Sequence, residues 1–294
     1  MYTILHLARQ GAKVYMGARN ESKATGAIKQ LELEGIGSGR IEYHHLDLAD
    51  PHEAKKSAEE FMKKEERLDI LVNNAAMLGS EYQLTKDGLS LHMVTNYLSP
   101  YVFTETLLPL LKKTALSANT DVRIVTVASD GHRIPPLKDQ VFNSKEALNN
   151  PFTNSYLGQM RLYGYTKLAN ILQTDALQDR LDAEQIPIIC LSLHPGAIAS
   201  GGAYDGVKKL PFTSFWNLML KIFFQPSIVG GLTPAFAAAA PVVREKSEVY
   251  RKAYLVPFGK LGKKSDRASD KKVGEELMRT TELVLREIGI EFSI

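Results

Sequence analysis

The chain has little of what usually identifies a protein quickly. Its 294 residues include one cysteine, Cys190, so no internal disulfide is available, which agrees with a reducing, cytoplasmic compartment. Charge is nearly balanced: 36 Lys and Arg against 33 Asp and Glu leave a formal net charge of +3, too little at this length to argue for nucleic acid. The one local basic run, from Lys260 to Lys272, is broken by Gly, Ser and Asp and reads as a solvated loop. No apolar run near the start reaches the length of a secretory signal, because His6, Arg9 and Lys13 interrupt it. The most apolar segment, 210–224, carries Phe212, Phe215, Trp216, Phe223 and Phe224 but also Lys221, and is too short to span a membrane as a helix of about 20 residues. Two readings remain for it: an amphipathic helix over a pocket or subunit contact, or a peripheral membrane contact. The histidines His44, His45, His92, His132 and His194 fall at no metal-ligand spacing with cysteines or carboxylates, so no metal site is read.

What is present is a regular alternation of helix and strand. Residues 2–10 read as helix ending at Gly11, 13–18 as strand, 22–34 as helix, 41–46 as strand, 51–64 as helix and 68–72 as a short strand stopped by Asn73 and Asn74. There follow a long helix over 90–112, a buried strand over 122–128, a long helix over 157–183 and a strand over 187–193. Beyond a variable stretch come a helix at 230–240, a strand at 253–256 and a terminal helix over 272–287. With no linker or repeat, this rhythm predicts one domain over 1–294: α/β, a doubly wound parallel sheet of the Rossmann type.

Within that frame Tyr163 and Lys167 stand out. A phenol with a pKa of about 10 transfers protons near neutrality only if its anion is stabilised. Four residues apart on a helix, a lysine shares a face with it and can lower that pKa by charge proximity. Tyr82 with Lys86 and Tyr204 with Lys208 have the same spacing, but both run into Asp-Gly turns, whereas Tyr163 opens a long periodic apolar segment.

Further along the same frame lie Asp47-Leu48-Ala49-Asp50, Leu71 to Ala76, Asn96, Arg123 to Ser129, Tyr163 to Asn170 and His194-Pro195-Gly196. In this order, each on its helix or at the end of its strand, these residues resemble the short-chain dehydrogenase/reductase family. They are most similar to its retinol-dehydrogenase-like and WW-domain-oxidoreductase-like branch, fungal members included. The resemblance implies Tyr163 as proton donor or acceptor and Lys167 as the residue that lowers its pKa and bonds the nicotinamide ribose. It implies Ser129 as a holder of the substrate oxygen and Asn96 as an aid in ordering a relay water. Asp47 and Leu48 would lie beside adenine, Asn74 and Ala75 along the adenosine ribose, and Pro195, Ile198 and Ser200 on the carboxamide and phosphate side. Taken alone, Asn73-Asn74 reads as a strand-ending turn and Asp47 as a helix start. Arg19, with Lys23 one turn on and no carboxylate at the strand end, favours NADP over NAD, although an arginine there is also an ordinary solvated helix-start residue. His132 reads as a loop histidine near the Ser129 strand.

One departure from the family pattern is expected to matter. The first strand and its glycine-rich turn have no counterpart in the sequence, which would leave the neighbouring strands with unpaired backbone groups, each costing about 1–3 kcal/mol if buried. Two functions follow from that expectation. One is an NADP-dependent oxidoreductase acting on an apolar alcohol, aldehyde or ketone, with 201–226 as its variable lid and a homodimer as a candidate assembly. The other is an impaired, truncated family member acting as a non-enzymatic binding protein.

Overall fold

The computed structural model describes residues 1–78, 81–134, 141–153, 155–198 and 224–292. The expected alternation is present. Helix α1 (Tyr2–Arg9) leads through Gly11, at φ +86°, into strand β1 (Lys13–Ala18), followed by α2 (Glu21–Leu33) and β2 (Arg40–His45). Asn20 caps α2 by accepting from the Lys23 N–H, and Asp50 caps α3 (Pro51–Lys64) by accepting from the His52 N–H. Strand β3 (Ile70–Asn73) precedes α4 (Ser99–Ala115), β4 (Val122–Val127), α5 (Tyr156–Ala183) and β5 (Ile188–Leu193). Helix α6 (Leu232–Ala239), strands β6 (Tyr254–Val256) and β7 (Lys260–Gly262), and helix α7 (Lys271–Glu287) complete the described part.

Two expectations shift. The helix expected over 90–112 is broken: Leu91–Met93 is a single turn, Val94–Leu98 is π-helical, and regular α-helix starts only at Ser99. Pro100 has no N–H to offer the Asn96 carbonyl, so the helix widens just before it. Lys260–Gly262, expected within a loop, pairs antiparallel with β6 as an edge strand, where a lysine is well tolerated. Residues 210–223 of the aromatic segment, and the Tyr204–Lys208 pair, lie outside the described residues. No helix among the described residues is long and apolar enough to cross a membrane.

The strands form two sheets among the described residues, β1–β2 and β3–β4–β5–β6–β7, parallel except for β7. Alternate side chains serve opposite faces. Ile124, Ile188 and Cys190 pack with α3, α4 and the end of α5, whereas Val125, Val127, Ile189, Leu191 and Leu193 pack with Leu7 of α1 and Ala237 and Ala238 of α6. A separate cluster of Leu5, Ala8, Met16, Ala24, Ile28, Leu31 and Ile41 joins α1 and α2 to β1 and β2. This is a Rossmann-like α/β domain with a mostly parallel sheet, covered on both faces.

Arg123 ties the C-terminal part to the sheet. Only 1% exposed, its guanidinium donates to Asp121, to the Ala237 carbonyl at 3.0 Å and to the Ala240 carbonyl at 2.9 Å. Desolvation works against the Asp121 carboxylate, but Arg123 and Arg244 hold its pKa below the usual value. Its stabilising contribution is therefore present above the ordinary carboxylate pKa and lost as pH falls through the lowered one. Asp121→Asn should cost about 1–2 kcal/mol at pH 7, after allowing for solvent screening at Asp121. The cost should shrink progressively as pH falls below the ordinary carboxylate value; a loss in urea unfolding that stays the same from pH 7 down to acid would refute this.

Candidate active site

The parallel strands β4 and β5 end side by side, and the groups singled out in the sequence collect there. Ser129 follows β4 in extended conformation, and its Oγ accepts from the Gly131 N–H at 3.1 Å, starting a short 3-10 turn over Asp130–Arg133. That turn packs directly on α5, where Gly131 and Gly164 meet. A Cβ on Gly164 would overlap the Gly131 carbonyl oxygen, so glycine is required for the turn to sit this close. At this approach the Ser129 hydroxyl is near enough to the Tyr163 phenol to act on its proton. Burial pushes the Tyr163 phenol up from its ordinary value, with the Ser129 hydroxyl partly offsetting the rise.

Lys167 lies one turn on, 1% exposed, and its Nζ donates to the Val127 carbonyl at 2.7 Å, 5.6 Å from the centre of the Tyr163 ring. Burial lowers its pKa to about 7. The expected direction of influence is thus altered: desolvation outweighs charge proximity, and it brings the amine down without bringing the phenol down. At neutral pH the amine is poised between its charged and neutral forms.

Asn96 comes from the π-helical turn. Its Oδ1 accepts from the Met77 N–H at 2.7 Å, while Nδ2 donates to the Met77 carbonyl at 3.0 Å and to Thr166 Oγ1 at 3.1 Å. Both amide hydrogens are therefore engaged, and the side chain clamps the segment after β3 to α5; only Oδ1 retains acceptor capacity for a water. Thr166 in turn donates to the Tyr163 carbonyl at 2.7 Å.

The turn carrying Ser129 is held from behind by a second set of groups. Tyr254 of β6 donates to Asp130 Oδ1 at 2.9 Å, and His194 lies 3.7 Å from Asp130 Oδ2. Desolvation acts to raise the Asp130 pKa, but Tyr254, His194 and Arg133 outweigh it and hold it low. His132, read as a loop histidine, is buried within this short turn. Its Nε2 accepts from the Ser265 N–H at 3.1 Å, which leaves Nδ1 to donate to the Ser129 carbonyl at 2.7 Å. Nothing in the local sequence pattern pointed to Asp130 or Tyr254, because they meet only through sheet order. Thr166 lay inside the Tyr163 motif and was legible there.

The other assigned residues spread from this centre. Arg19 and Lys23 are exposed just after β1, and neither makes an ion pair among the described residues. Glu21, in the same turn, acts on Tyr43, raising its pKa after desolvation. Asp47 Oδ1 accepts from the Ala49 N–H at 2.9 Å within a turn; the helix start read at Asp47 falls instead at Asp50, which caps α3. Leu48, Asn74, Ala75 and Asn96 line one cavity of about 770 Å³. Pro195 precedes Gly196, at φ +102°, and Ile198 forms a bridge to Gln225 and packs on Gly230. Ser200 lies outside the described residues.

Two substitutions test this geometry. Gly164→Ala should force the Ser129 turn off α5 and lower the melting temperature by at least about 2 °C, through overpacking of about 1–3 kcal/mol. An unchanged melting curve would contradict the required close approach. Because the Lys167 pKa is lowered on folding, the unfolded chain binds more protons there between about pH 7 and 10, and this position should make stability rise with pH over that range. In Lys167→Met that component of the rise in urea midpoint should vanish; an identical rise in both proteins would show the amine is not so buried.

The chain matches the family model described as short chain dehydrogenase over residues 2–155. It is 44% identical over 287 residues to a short-chain dehydrogenase/reductase of Armillaria gallica, covering 98% of this chain and 89% of that protein. It is 38% identical over 291 residues to an uncharacterized oxidoreductase of Schizosaccharomyces pombe, covering 97% and 81%. Among solved structures, an uncharacterized protein from Mycobacterium paratuberculosis superposes with a TM-score of 0.69 at 26% identity, covering 99% of this chain and 90% of the other.

Proposed function

The chain belongs to the short chain dehydrogenase family of oxidoreductases, and from that membership we propose that it uses NADP to interconvert an apolar alcohol with its aldehyde or ketone. The observation that carries this reading is the gathering of the Tyr163 phenol, the Ser129 hydroxyl that acts on it, and the buried Lys167 amine 5.6 Å from the phenol ring.

The residues present suit the adenosine side of the cofactor. Leu48, Asn74 and Ala75 converge on one cavity, with Asp47 preceding it in the chain. Arg19 and Lys23 offer two exposed cations after β1, suited to a ribose phosphate. When bound, the nicotinamide supplies or accepts the hydride.

The protein's own share is the oxygen and its proton. The Ser129 and Tyr163 hydroxyls form a pair of donors able to stabilise the negative charge that builds on a reacting carbonyl oxygen, and Tyr163 Oη delivers or removes the proton. Lys167, with a pKa near neutrality, is suited to pass a proton onward rather than to act only as a fixed charge. His132, Asp130 and Tyr254 keep the Ser129 turn from moving as charge develops. Membership of the retinol-dehydrogenase-like branch, a lid formed by 201–226, cytoplasmic residence, a homodimer and a peripheral membrane contact through 210–224 belong to the same proposal. The apolar composition of the lid segment supports the substrate class.

NADPH fluorescence titration of the purified chain should give saturable binding, and Arg19→Glu should weaken it at least tenfold while changing NADH binding less. Tyr163→Phe should leave NADPH binding within about twofold and reduce turnover of an apolar carbonyl substrate by at least about 100-fold. Retention of turnover in Tyr163→Phe would overturn the assignment of the proton to that residue.

A further inference from the structure

The basic run from Lys260 to Lys272, a solvated loop by its composition, is in part turned inward. Its middle is pinned to the turn after β4 and to α5 at three points. The Ser265 N–H donates to buried His132 at 3.1 Å, the Lys263 carbonyl accepts from Arg133, and Lys264 donates to both oxygens of Asp175 at 2.6 Å. Between these elements lies a cavity of about 80 Å³, lined by Arg133 of the turn, Arg161 and Tyr165 of α5, and Ser265 and Arg267 of the run. Three guanidinium groups from three separate elements thus meet at one small space. No carboxylate lines it among the described residues.

The three arginines are engaged unequally. Arg133 gives its Nε to Asp130 at 3.3 Å and a terminal nitrogen to the Lys263 carbonyl. Arg161 and Arg267 are half-buried, yet neither makes a side-chain hydrogen bond or an ion pair among the described residues. The Arg161 Nε is enclosed without an acceptor. The Arg267 guanidinium lies 6.0 Å from the centre of the Phe142 ring, and burial lowers its pKa against the opposing pull of Tyr165, Glu276 and Asp270. Those two carboxylates are engaged elsewhere: Glu276 accepts from the Phe142 N–H at 2.7 Å, and Asp270 caps α7 by accepting from the Lys272 N–H. Enclosing a cationic donor without an acceptor is costly, as is gathering like charges around one space. Such a cavity suits an acceptor that carries negative charge.

A guanidinium fork binds an oxyanion through two parallel hydrogen bonds. One fork satisfies a carboxylate, whereas a phosphate has oxygens enough for forks on two different elements and for a hydroxyl besides. Ser265 supplies the hydroxyl, since its Oγ accepts from the Ala268 N–H at 3.3 Å and keeps its own proton to donate. At about 30 Å³ per water, the 80 Å³ cavity holds about two to three waters, which suits one tetrahedral oxyanion and no larger body. We propose that Arg161, Arg267 and Ser265 form a binding site for a phosphate group, either the free ion or a monoester whose remainder stays in solvent. The site lies behind the turn that carries Ser129. His132 links the Ser129 carbonyl to the Ser265 N–H, so a bound phosphate ties α5 to the basic run and clamps that turn between them.

The test uses the full 294-residue chain without cofactor and follows its melting temperature in sodium phosphate, phenyl phosphate or sodium acetate at equal ionic strength. Both phosphates should raise it to a saturating value and acetate should not. Hydrogen exchange at residues 131–134 and 263–268 should slow with them. Arg161→Gln and Arg267→Gln should each weaken the apparent affinity at least tenfold, and Arg161→Lys by a smaller factor, because the charge remains while the fork is lost. In acetate Arg161→Gln should melt within about 2 °C of the parent, as a folded protein altered only near its surface does. Arg19→Glu, on the proposed cofactor side, should respond to phosphate as the parent does. Saturation by inorganic phosphate alone identifies the free ion as the ligand, and tighter binding of phenyl phosphate identifies a monoester. A rise that never saturates and persists in both glutamine variants would be general salt stabilisation and would overturn the proposal. So would a response lost in Arg19→Glu but kept in Arg161→Gln, which would assign the phosphate to the cofactor side. None of these readouts involves turnover, so they are separate from the oxidoreductase reading.

Discussion

The arrangement of the site depends on one buried contact, the Lys167 amine on the Val127 carbonyl. A primary amine at 1% exposure is costly to keep charged, and its only hydrogen-bond partner among the described residues is a neutral backbone oxygen. That oxygen is the last carbonyl of β4, so the contact fixes the rotation of α5 against the strand whose continuation carries Ser129. With α5 set, Tyr163 faces Ser129, Thr166 meets Asn96, and Gly164 is the residue left facing the turn. Displacing the amine would leave an acceptor unpaired in the interior and release all three relationships together.

Backbone pairing does not run unbroken through this fold; helices bridge the discontinuity. Leu7 of α1 packs with β4 and β5 while its neighbours Leu5 and Ala8 pack with β1 and β2, so one short helix holds both sheets. On the opposite face Tyr15 of β1 meets Phe61 of α3 edge-on at 5.1 Å, and Leu71 of β3 joins the same cluster. Side-chain packing is non-directional and tolerates a gap that a hydrogen-bond ladder does not. The groups proposed for proton transfer lie after β4 and on α5, away from the discontinuity. The residues proposed for the cofactor straddle it, with Arg19 and Lys23 on one sheet's side and Asn74 and Ala75 on the other's.

Most of the fold was legible because it rests on periodicity. The fully apolar strands around Ile124 and Ile189, and the capped helices beginning after Asn20 and Asp50, depend on local pattern. So does the dismissal of Tyr82: it lies outside a helix, and its hydroxyl bonds the Asn149 carbonyl. The site was legible where its members share a helix, as Tyr163 and Lys167 do. It was not legible where members meet through sheet order: Tyr254 and Asp130 are distant in sequence and become neighbours because β6 pairs with β5. The protonation balance was also hidden, since spacing shows that a cation lies near a phenol but not that burial will neutralise part of it. The break in the helix after Ser90 could have been anticipated from Pro100, whose missing donor rules out a regular ladder at that point.

That break has a consequence for how the protein tolerates change. The π-helical turn holds one residue more than an α-turn, and the bonds that Asn96 makes to Met77 and Thr166 require the rotation this extra residue supplies. Loss of a single residue between Val94 and Leu98 would tighten the turn into ordinary helix, yet swing everything before it by about 100°. The segment is therefore more sensitive to length than to side-chain identity: a conservative replacement at Val94 or Leu98 leaves the phase intact, whereas a one-residue indel changes it wholesale. In this part of the molecule the reading frame of the helix, rather than any one side chain, carries the information that places Asn96.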